Sequence, residues 1–245
     1  MLPVLNIGPL ALPVPQFSLL LALWFGLSLA EKTAHRQKIS ADALYNLVFT
    51  GLSAGVIGAR AGYVLQNPAV FINNPANIFS LNAGLLDAFA GFATGALGAF
   101  IYANRKKMAF WNTLDALSPL FAAVYLGLAF SHFASGKAYG AETTLPWGIE
   151  LWGAVRHPSQ AYEMTAAAII LLWTFERARH EQTPGTLFLR YTAVTAAVIL
   201  FLEGFRGDSD TILWGIRLAQ VFAWLILAGA LFFIDRQNQI LKPKD

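Results

Sequence analysis

The sequence predicts an all-α, polytopic membrane protein with about seven transmembrane helices, its N-terminus outside the cell and its C-terminus in the cytoplasm. Three observations predict it. Hydrophobic residues make up 56% of the chain and charged residues 13%, against roughly a quarter charged in a soluble domain. Seven apolar stretches recur at about the length of a bilayer crossing. Lysine and arginine gather on alternate connections between them.

A hydrocarbon core of ~30 Å takes about 20 apolar residues as helix. The spans fall at 17–30, 41–66, 80–103, 110–135, 159–175, 183–205 and 213–234. The first is short and extends back through Pro15. Ser40 caps the second, with Asp42 in its first turn, and Thr183-Pro184 reads as a cap and first helical position for the sixth. Lys32, Arg36, Lys38, Arg105, Lys106, Lys107, Arg177, Arg179, Arg236, Lys242 and Lys244 lie on one set of connections. The other set holds Lys137, Arg156 and Arg206. Eleven basic residues against three make the first set cytoplasmic. The chain shows no internal repeat or domain boundary and reads as a single transmembrane domain over residues 1–245, multi-pass in the cell membrane. The N-terminus lacks a basic n-region and does not read as a cleavable signal peptide.

Composition also excludes. Without cysteine there is no disulfide, thiolate ligand or cysteine nucleophile, and no metal or cofactor is expected. No basic block with interleaved aromatics points to nucleic acid. Trp111, Trp147, Trp152 and Trp214 read as interfacial belt residues.

The topology assigns depths to the costly side chains. Arg60 falls about two turns from the outer end of span two, and Asp87 about two turns from the outer end of span three. His132 falls near the outer end of span four. Gln160 and Glu163 open span five, just after Arg156 and His157. Glu203 and Arg206 close span six, and Arg217 lies in the first turns of span seven. A charge in hydrocarbon costs at least ~2.5–3.5 kcal/mol, so these residues pair with one another or line a polar cavity. The bland alternative is structural ion pairs, or arginines reaching outward to the interface. Arg60, Lys137, Arg156, Arg206 and Arg217 outnumber Asp87, Glu163 and Glu203. Excess guanidinium facing the outer leaflet suits an anionic phospholipid, because guanidinium binds phosphate with paired parallel hydrogen bonds. Arg60, Arg156 and Arg206 are expected to converge on one phosphate, with Glu163 and Glu203 orienting guanidinium groups.

The order of motifs resembles the prolipoprotein diacylglyceryl transferase family over nearly the whole chain. Ile7-Gly8-Pro9-Leu10-Ala11-Leu12 resembles the family's start. Gly58-Ala59-Arg60-Ala61-Gly62-Tyr63 is similar to its Gly-x-Arg-x-Gly-Tyr segment, and Asp115 with Ser118-Pro119 to its Asp-x-x-Ala-Pro. Leu145-Pro146-Trp147 is similar to the family's periplasmic loop. Arg156-His157-Pro158-Ser159-Gln160-Ala161-Tyr162-Glu163 is the most specific match. Glu203-Gly204-Phe205-Arg206-Gly207-Asp208 resembles its Glu-Phe-x-Arg-x-x-Asp, and Gln220 its last-helix glutamine. Two motifs depart. The family's third-helix His-Gly-Gly has no counterpart around Asp87, and its Gly-Arg-x-Gly-Asn-Phe-x-Asn-x-Glu-x-x-Gly reads here with Ala129 for arginine, His132 for asparagine and Lys137 for glutamate.

The resemblance implies transfer of a diacylglyceryl group from phosphatidylglycerol to the cysteine thiol of a lipoprotein-precursor peptide, within the bilayer. Such a reaction needs a base for a thiol of ordinary pKa ~8.5 and positive charge on the departing phosphate. Arg60, Arg156 and Arg206 are the candidates for the charge, Arg206 first among them, and His132 is the candidate for the base ahead of His157, histidine being suited to proton transfer near neutrality. Arg60, Lys137, Arg156, His157, Gln160, Glu163 and Glu203 are the candidate substrate-binding residues. The alternative is a catalytically inactive homologue that binds phospholipid or lipoprotein precursors. A transporter fits less well, since its polar site would lie at the midplane between related halves.

Overall fold

The structure, a computed structural model, describes residues 3–8, 10–72, 74–80, 82–180, 183–212 and 215–241. Pro9, Leu213, Trp214, Lys242 and Lys244, used in the sequence reading, lie outside the described residues. The helices are α1 (Val14–Ala34), α2 (Ala41–Gln66), α3 (Pro68–Ile72), α4 (Ala88–Arg105), α5 (Phe110–Ser135), α6 (Ser159–Ala178), α7 (Thr186–Leu202) and α8 (Leu218–Leu241). Two short antiparallel hairpins accompany them: β1 (Val4–Ile7) with β2 (Leu10–Pro13), and β3 (Ile149–Leu151) with β4 (Ala154–Arg156). Among the described residues five helical stretches, built on α1, α2, α5, α7 and α8, are long and apolar enough to cross a membrane. The 18 residues of α4 are diluted by glycines and end on Asn104-Arg105. The more polar α6 carries Glu163, Glu176 and Arg177.

The chain divides into two compact units, Lys38–Thr113 and a larger one formed by Met1–Gln37 with Leu114–Asp245. In the smaller unit, Ser40 Oγ accepts from Ala43 N at 3.2 Å and starts α2 as the sequence suggests. Helices α2 and α4 then pack antiparallel through small residues. A Cβ on Gly55 would stand 3.2 Å from the Gly91 carbonyl oxygen, and one on Gly95 2.9 Å from that of Gly51. Gly58 faces Thr94, and Gly62 faces Ala90. Gly51, Gly55, Gly58 and Gly62 recur with the helical period, so one stripe of α2 lets the two backbones approach closely, which is how helices gain contact where no water drives them together.

The larger unit packs α1, α5, α6 and α7 around Leu29, Ala122, Ala123, Ile170, Leu171 and Tyr191. Gly26 fits against Ala123 and Leu120, and Gly127 against Ala22, so α1 and α5 are antiparallel. Asp115 is buried at 1% exposure and caps the next helix but one: Gly185 N donates to Oδ2 at 2.6 Å and Phe188 N to Oδ1 at 2.8 Å. Gln237 Nε2 donates to the Pro184 carbonyl at 3.1 Å, tying the far end of α8 to the start of α7.

Three span starts differ from the sequence reading. The third span begins at Ala88, not at residue 80, because 75–79 and 83–85 form 3-10 turns around Pro75 and Asn82. Asp87 is therefore a cap, its Oδ1 accepting from Ala90 N at 2.6 Å, and not an intramembrane charge two turns down the helix. The sixth span begins at Thr186. Gly185, at φ +88°, takes the cap position in place of Thr183, and the capping oxygens come from Asp115. Helix α8 starts at Leu218, which leaves Arg217 just outside it. Neither hairpin was anticipated: their strands are three or four residues long, below the length at which a period of two is legible.

Candidate functional site

The connection leaving α5 organises the larger unit's polar residues. Gly136 adopts φ +76° and turns the chain out of the helix. Ala138, 1% exposed, is held at φ +57°, a conformation that costs a side-chain-bearing residue ~1–2 kcal/mol. Two bonds hold it there. Its N–H donates to Asp208 Oδ2 at 2.7 Å, and its carbonyl accepts from Ser159 Oγ at 2.6 Å. The next residues run extended between two other segments. Gly207 N donates to the Tyr139 carbonyl and Ala141 N to the Phe205 carbonyl, both at 2.8 Å, while His157 N donates to the Ala141 carbonyl at 2.9 Å. Gly140 lies against the His157 carbonyl so closely that a Cβ would collide with it. Residues 139–141 thus bring the Arg156-His157 and Glu203–Arg206 segments together.

Arg206 stands between two carboxylates. Its Nη1 lies 3.4 Å from Glu203 Oε2, and Nη2 and Nε each lie 3.0 Å from Asp208 Oδ1. Glu203 is 4% exposed, and its other oxygen accepts from Ser209 Oγ. Helix α7 ends at Leu202, so Glu203 opens a 3-10 turn and Arg206 is extended beyond it. Arg217 clamps that turn, donating from Nη1 to the Glu203 carbonyl and from Nη2 to the Arg206 carbonyl at 2.5 Å. A cavity of about 330 Å³ opens beside Arg206, with Asp208, Ser209 and Asp210 on its polar side and Leu218 and Phe222 on its apolar side.

Arg156 projects from β4. Its guanidinium lies 5.2 Å from the Tyr139 ring centre, donates from Nε to the Leu151 carbonyl at 3.1 Å, and meets Glu142 Oε1 at 3.3 Å. The His157 ring packs on Phe205 at 5.2 Å between ring centres, and its Nδ1 is buried without a hydrogen-bond partner. Gln160, 1% exposed, donates to the Lys137 carbonyl at 2.8 Å, while the Lys137 side chain is exposed. Trp147 Nε1 donates to Tyr162 Oη at 2.8 Å, so this tryptophan, expected as a belt residue, also pins its loop to α6.

His132 and Glu163 meet across α5 and α6, Nδ1 to Oε2 at 3.0 Å. Glu163 was expected to orient an arginine, and the structure corrects that. Nor is guanidinium in excess around Arg206. Glu142, Asp208 and Asp210, which lie in connections between helices, supply acids close to Arg156 and Arg206. Asp208 was legible, because it closes the Glu203–Asp208 motif two residues beyond Arg206. Glu142 and Tyr139 carried no such signal, since a loop's register is set by its partners.

Arg60 belongs to the smaller unit. Its Nε donates to the Ile78 carbonyl at 2.8 Å, Nη1 to the Leu85 carbonyl at 2.8 Å, and Nη2 to the Asn77 carbonyl. Asp87 N donates to the Ala59 carbonyl at 2.9 Å beside it. Arg60 therefore fastens the α3–α4 connection to the last two turns of α2.

Long apolar helices, with ionisable side chains gathered where helices meet their connections, define a helical membrane protein with a polar site at helix ends. The family model described as prolipoprotein diacylglyceryl transferase matches residues 3–235, and the chain belongs to that family. Among similar proteins are three phosphatidylglycerol–prolipoprotein diacylglyceryl transferases. That of Finegoldia magna is 27% identical over 92% of this chain and 91% of its own. That of Clostridioides difficile is 29% identical over 87% of each. That of Streptococcus pyogenes serotype M3 is 29% identical over 96% of this chain and 95% of its own.

Proposed function

We propose that this protein is a phosphatidylglycerol–prolipoprotein diacylglyceryl transferase of the cell membrane. The observation that carries the assignment is the meeting of its two most family-like segments, Arg156–Glu163 and Glu203–Asp208, on residues 139–141. In this reading the thiol proton of a precursor cysteine passes to His132 Nε2. The sulfur attacks the glycerol carbon that carries the phosphate ester, a C–S bond forms, and the C–O bond breaks. Glycerol phosphate leaves with the bonding electron pair, and the imidazolium returns its proton to the departing phosphate or to water.

Arg206 faces the charge that develops on that phosphate. At 29% exposure it is accessible, and Glu203 and Asp208 fix its direction in advance of the reaction, the arrangement that stabilises a transition state without reorganisation. Leu218 and Phe222 offer the apolar wall an acyl chain needs. Arg156, His157 and Gln160 brace residues 137–142 through their contacts with them, and the exposed Lys137 side chain stands on the same segment. The geometry favours a holding role for Arg60, whose three nitrogens lie on main-chain carbonyls, over the head-group contact that the sequence suggests.

The topology of the proposal is seven spans with the N-terminus outside. Helices α4 and α6, of 18 and 20 residues, measure about 27 and 30 Å at 1.5 Å per residue, enough for the two further crossings. With no native cysteine, single cysteines at Asn74 and Met108 test this. An impermeant reagent on intact cells should label the first and spare the second; the opposite pattern would invert the orientation.

A second reading is an inactive lipid-binding homologue. Ala129 favours it, because it is wholly buried and leaves no room for the family's arginine at that position of α5. Mass spectrometry of a lipobox peptide incubated with purified protein and phosphatidylglycerol vesicles separates the two. The transferase adds one diacylglyceryl mass to the cysteine. A peptide of unchanged mass, recovered bound to the protein, identifies the homologue.

A further inference from the structure

We propose that Glu163 is a positioning residue that sets the tautomer and direction of His132, an inference that rests on the transferase reading of the same site. The side chains are 21% and 17% exposed and lie 3.0 Å apart, Nδ1 to Oε2. An ionised carboxylate only accepts hydrogen bonds, so the proton on the imidazole must sit on Nδ1. That leaves the lone pair on Nε2, the atom a base uses. When Nε2 takes the thiol proton, the ring becomes a cation 3.0 Å from the Glu163 carboxylate, and in a partly dry site this attraction is stronger than the same pair would have in water. The same division of labour between an acid and an imidazole serves hydrolases that activate a hydroxyl.

Besides His132, Glu163 has the Tyr125 phenol as an electrostatic neighbour. Other ion pairs of the larger unit include Arg156 with Glu142, Arg206 with Glu203 and Asp208, and Glu176 with Arg179 and His180. None draws on Glu163. Both members stand on helix: His132 lies three residues before the end of α5, and Glu163 in the second turn of α6. Their spacing is therefore set by helix packing and not by a loop, which is what a site held to a fraction of an ångström requires. Ser135 Oγ donates to the His132 carbonyl at 3.3 Å and ties down the last turn beneath the ring.

The test is a double-mutant cycle on peptide transfer, read beside the nitrogen NMR spectrum of ¹⁵N-histidine protein. The chain has four histidines, and His132→Ala assigns the relevant signal by its loss. In the unaltered protein the pair gives protonated Nδ1 and unprotonated Nε2; the opposite tautomer overturns the proposal. Glu163→Gln should lower kcat at least about tenfold, and by no more than the ~10²–10⁴-fold a general base contributes, with KM for phosphatidylglycerol unchanged. In the His132→Ala background it should have no further effect. Losses that multiply across the two sites would make Glu163 a merely structural neighbour and sink the proposal while leaving the transferase intact. If the glutamine variant does not fold, Glu163→Asp keeps the charge, and it should restore transfer above the level of His132→Ala. Failure of the unaltered protein to transfer removes the reaction itself, and with it the role proposed for the pair.

Discussion

Arg60 and Arg206 carry the same charge in the two compact units and are satisfied differently. Around Arg60 the partners are three main-chain carbonyls, those of residues 77, 78 and 85, in a unit whose helices α2 and α4 meet through glycine. Around Arg206 the partners are carboxylates, one of them buried, beside an open cavity. A guanidinium on carbonyls fixes backbone and holds a connection in place. A guanidinium on carboxylates is poised, because an incoming phosphate offers the same paired acceptors and can share it. The smaller unit thus builds a close-packed pair of helices, and the larger one builds chemistry at helix ends.

The largest effect that can break this contrast lies at Glu203. Glu203→Ala removes a buried acid from Arg206 and from Ser209 and should cost about 3 kcal/mol. That is the low end for breaking a buried ion pair, since Arg206 keeps Asp208. Chemical unfolding in detergent measures it; a cost below about 1 kcal/mol would mean the acid cluster holds nothing together. Next comes Gly58→Ala in the smaller unit. The added methyl would overlap the Thr94 side chain, whose hydroxyl is already bonded to the Ala90 carbonyl at 2.7 Å. Overpacking of this kind costs about 1–3 kcal/mol. An unchanged thermal midpoint would show that α2 and α4 can separate freely. The smallest effect belongs to Glu142→Ala. Glu142 is 71% exposed where it meets Arg156, and an exposed pair contributes less than about 1 kcal/mol. A larger loss would show that Arg156 depends on Glu142 more than on Tyr139 and the Leu151 carbonyl.

Periodicity and caps made the helices legible where nothing tertiary intervened. Helices α2 and α5 span the stretches read from apolar run length, and Ser40 caps as its type suggests. Starts went astray where another element supplies the cap or the chain turns before the helix. Asp115 lies 70 residues from Gly185 in sequence, a separation no local pattern reveals. Ile78, Phe79, Leu85 and Leu86 look like the head of a span, yet Pro75 and Asn82 turn the chain before α4. The β3–β4 turn was illegible for a related reason. Trp152 and Gly153 both have positive φ, at 56° and 75°, a primed turn that only one of the two residues favours. At the site, sequence spacing found the residues but not the pairs. Whether Glu163 meets His132 or an arginine depends on how α5 and α6 rotate against each other, and a 3.6-residue period leaves that rotation open.

The contrast between the two arginines is tested most directly by measuring peptide transfer and thermal midpoint together on Arg206→Lys and Arg60→Lys. Lysine keeps the charge and loses the planar fork. Arg206→Lys should melt close to the unaltered protein but transfer at least about a hundredfold more slowly, the scale of one preorganised transition-state donor. Arg60→Lys should melt several degrees lower, while the folded fraction transfers at nearly the unaltered rate. The reverse, a stable Arg60→Lys without transfer and an unstable Arg206→Lys with it, would make Arg60 the chemical residue and Arg206 the holding one.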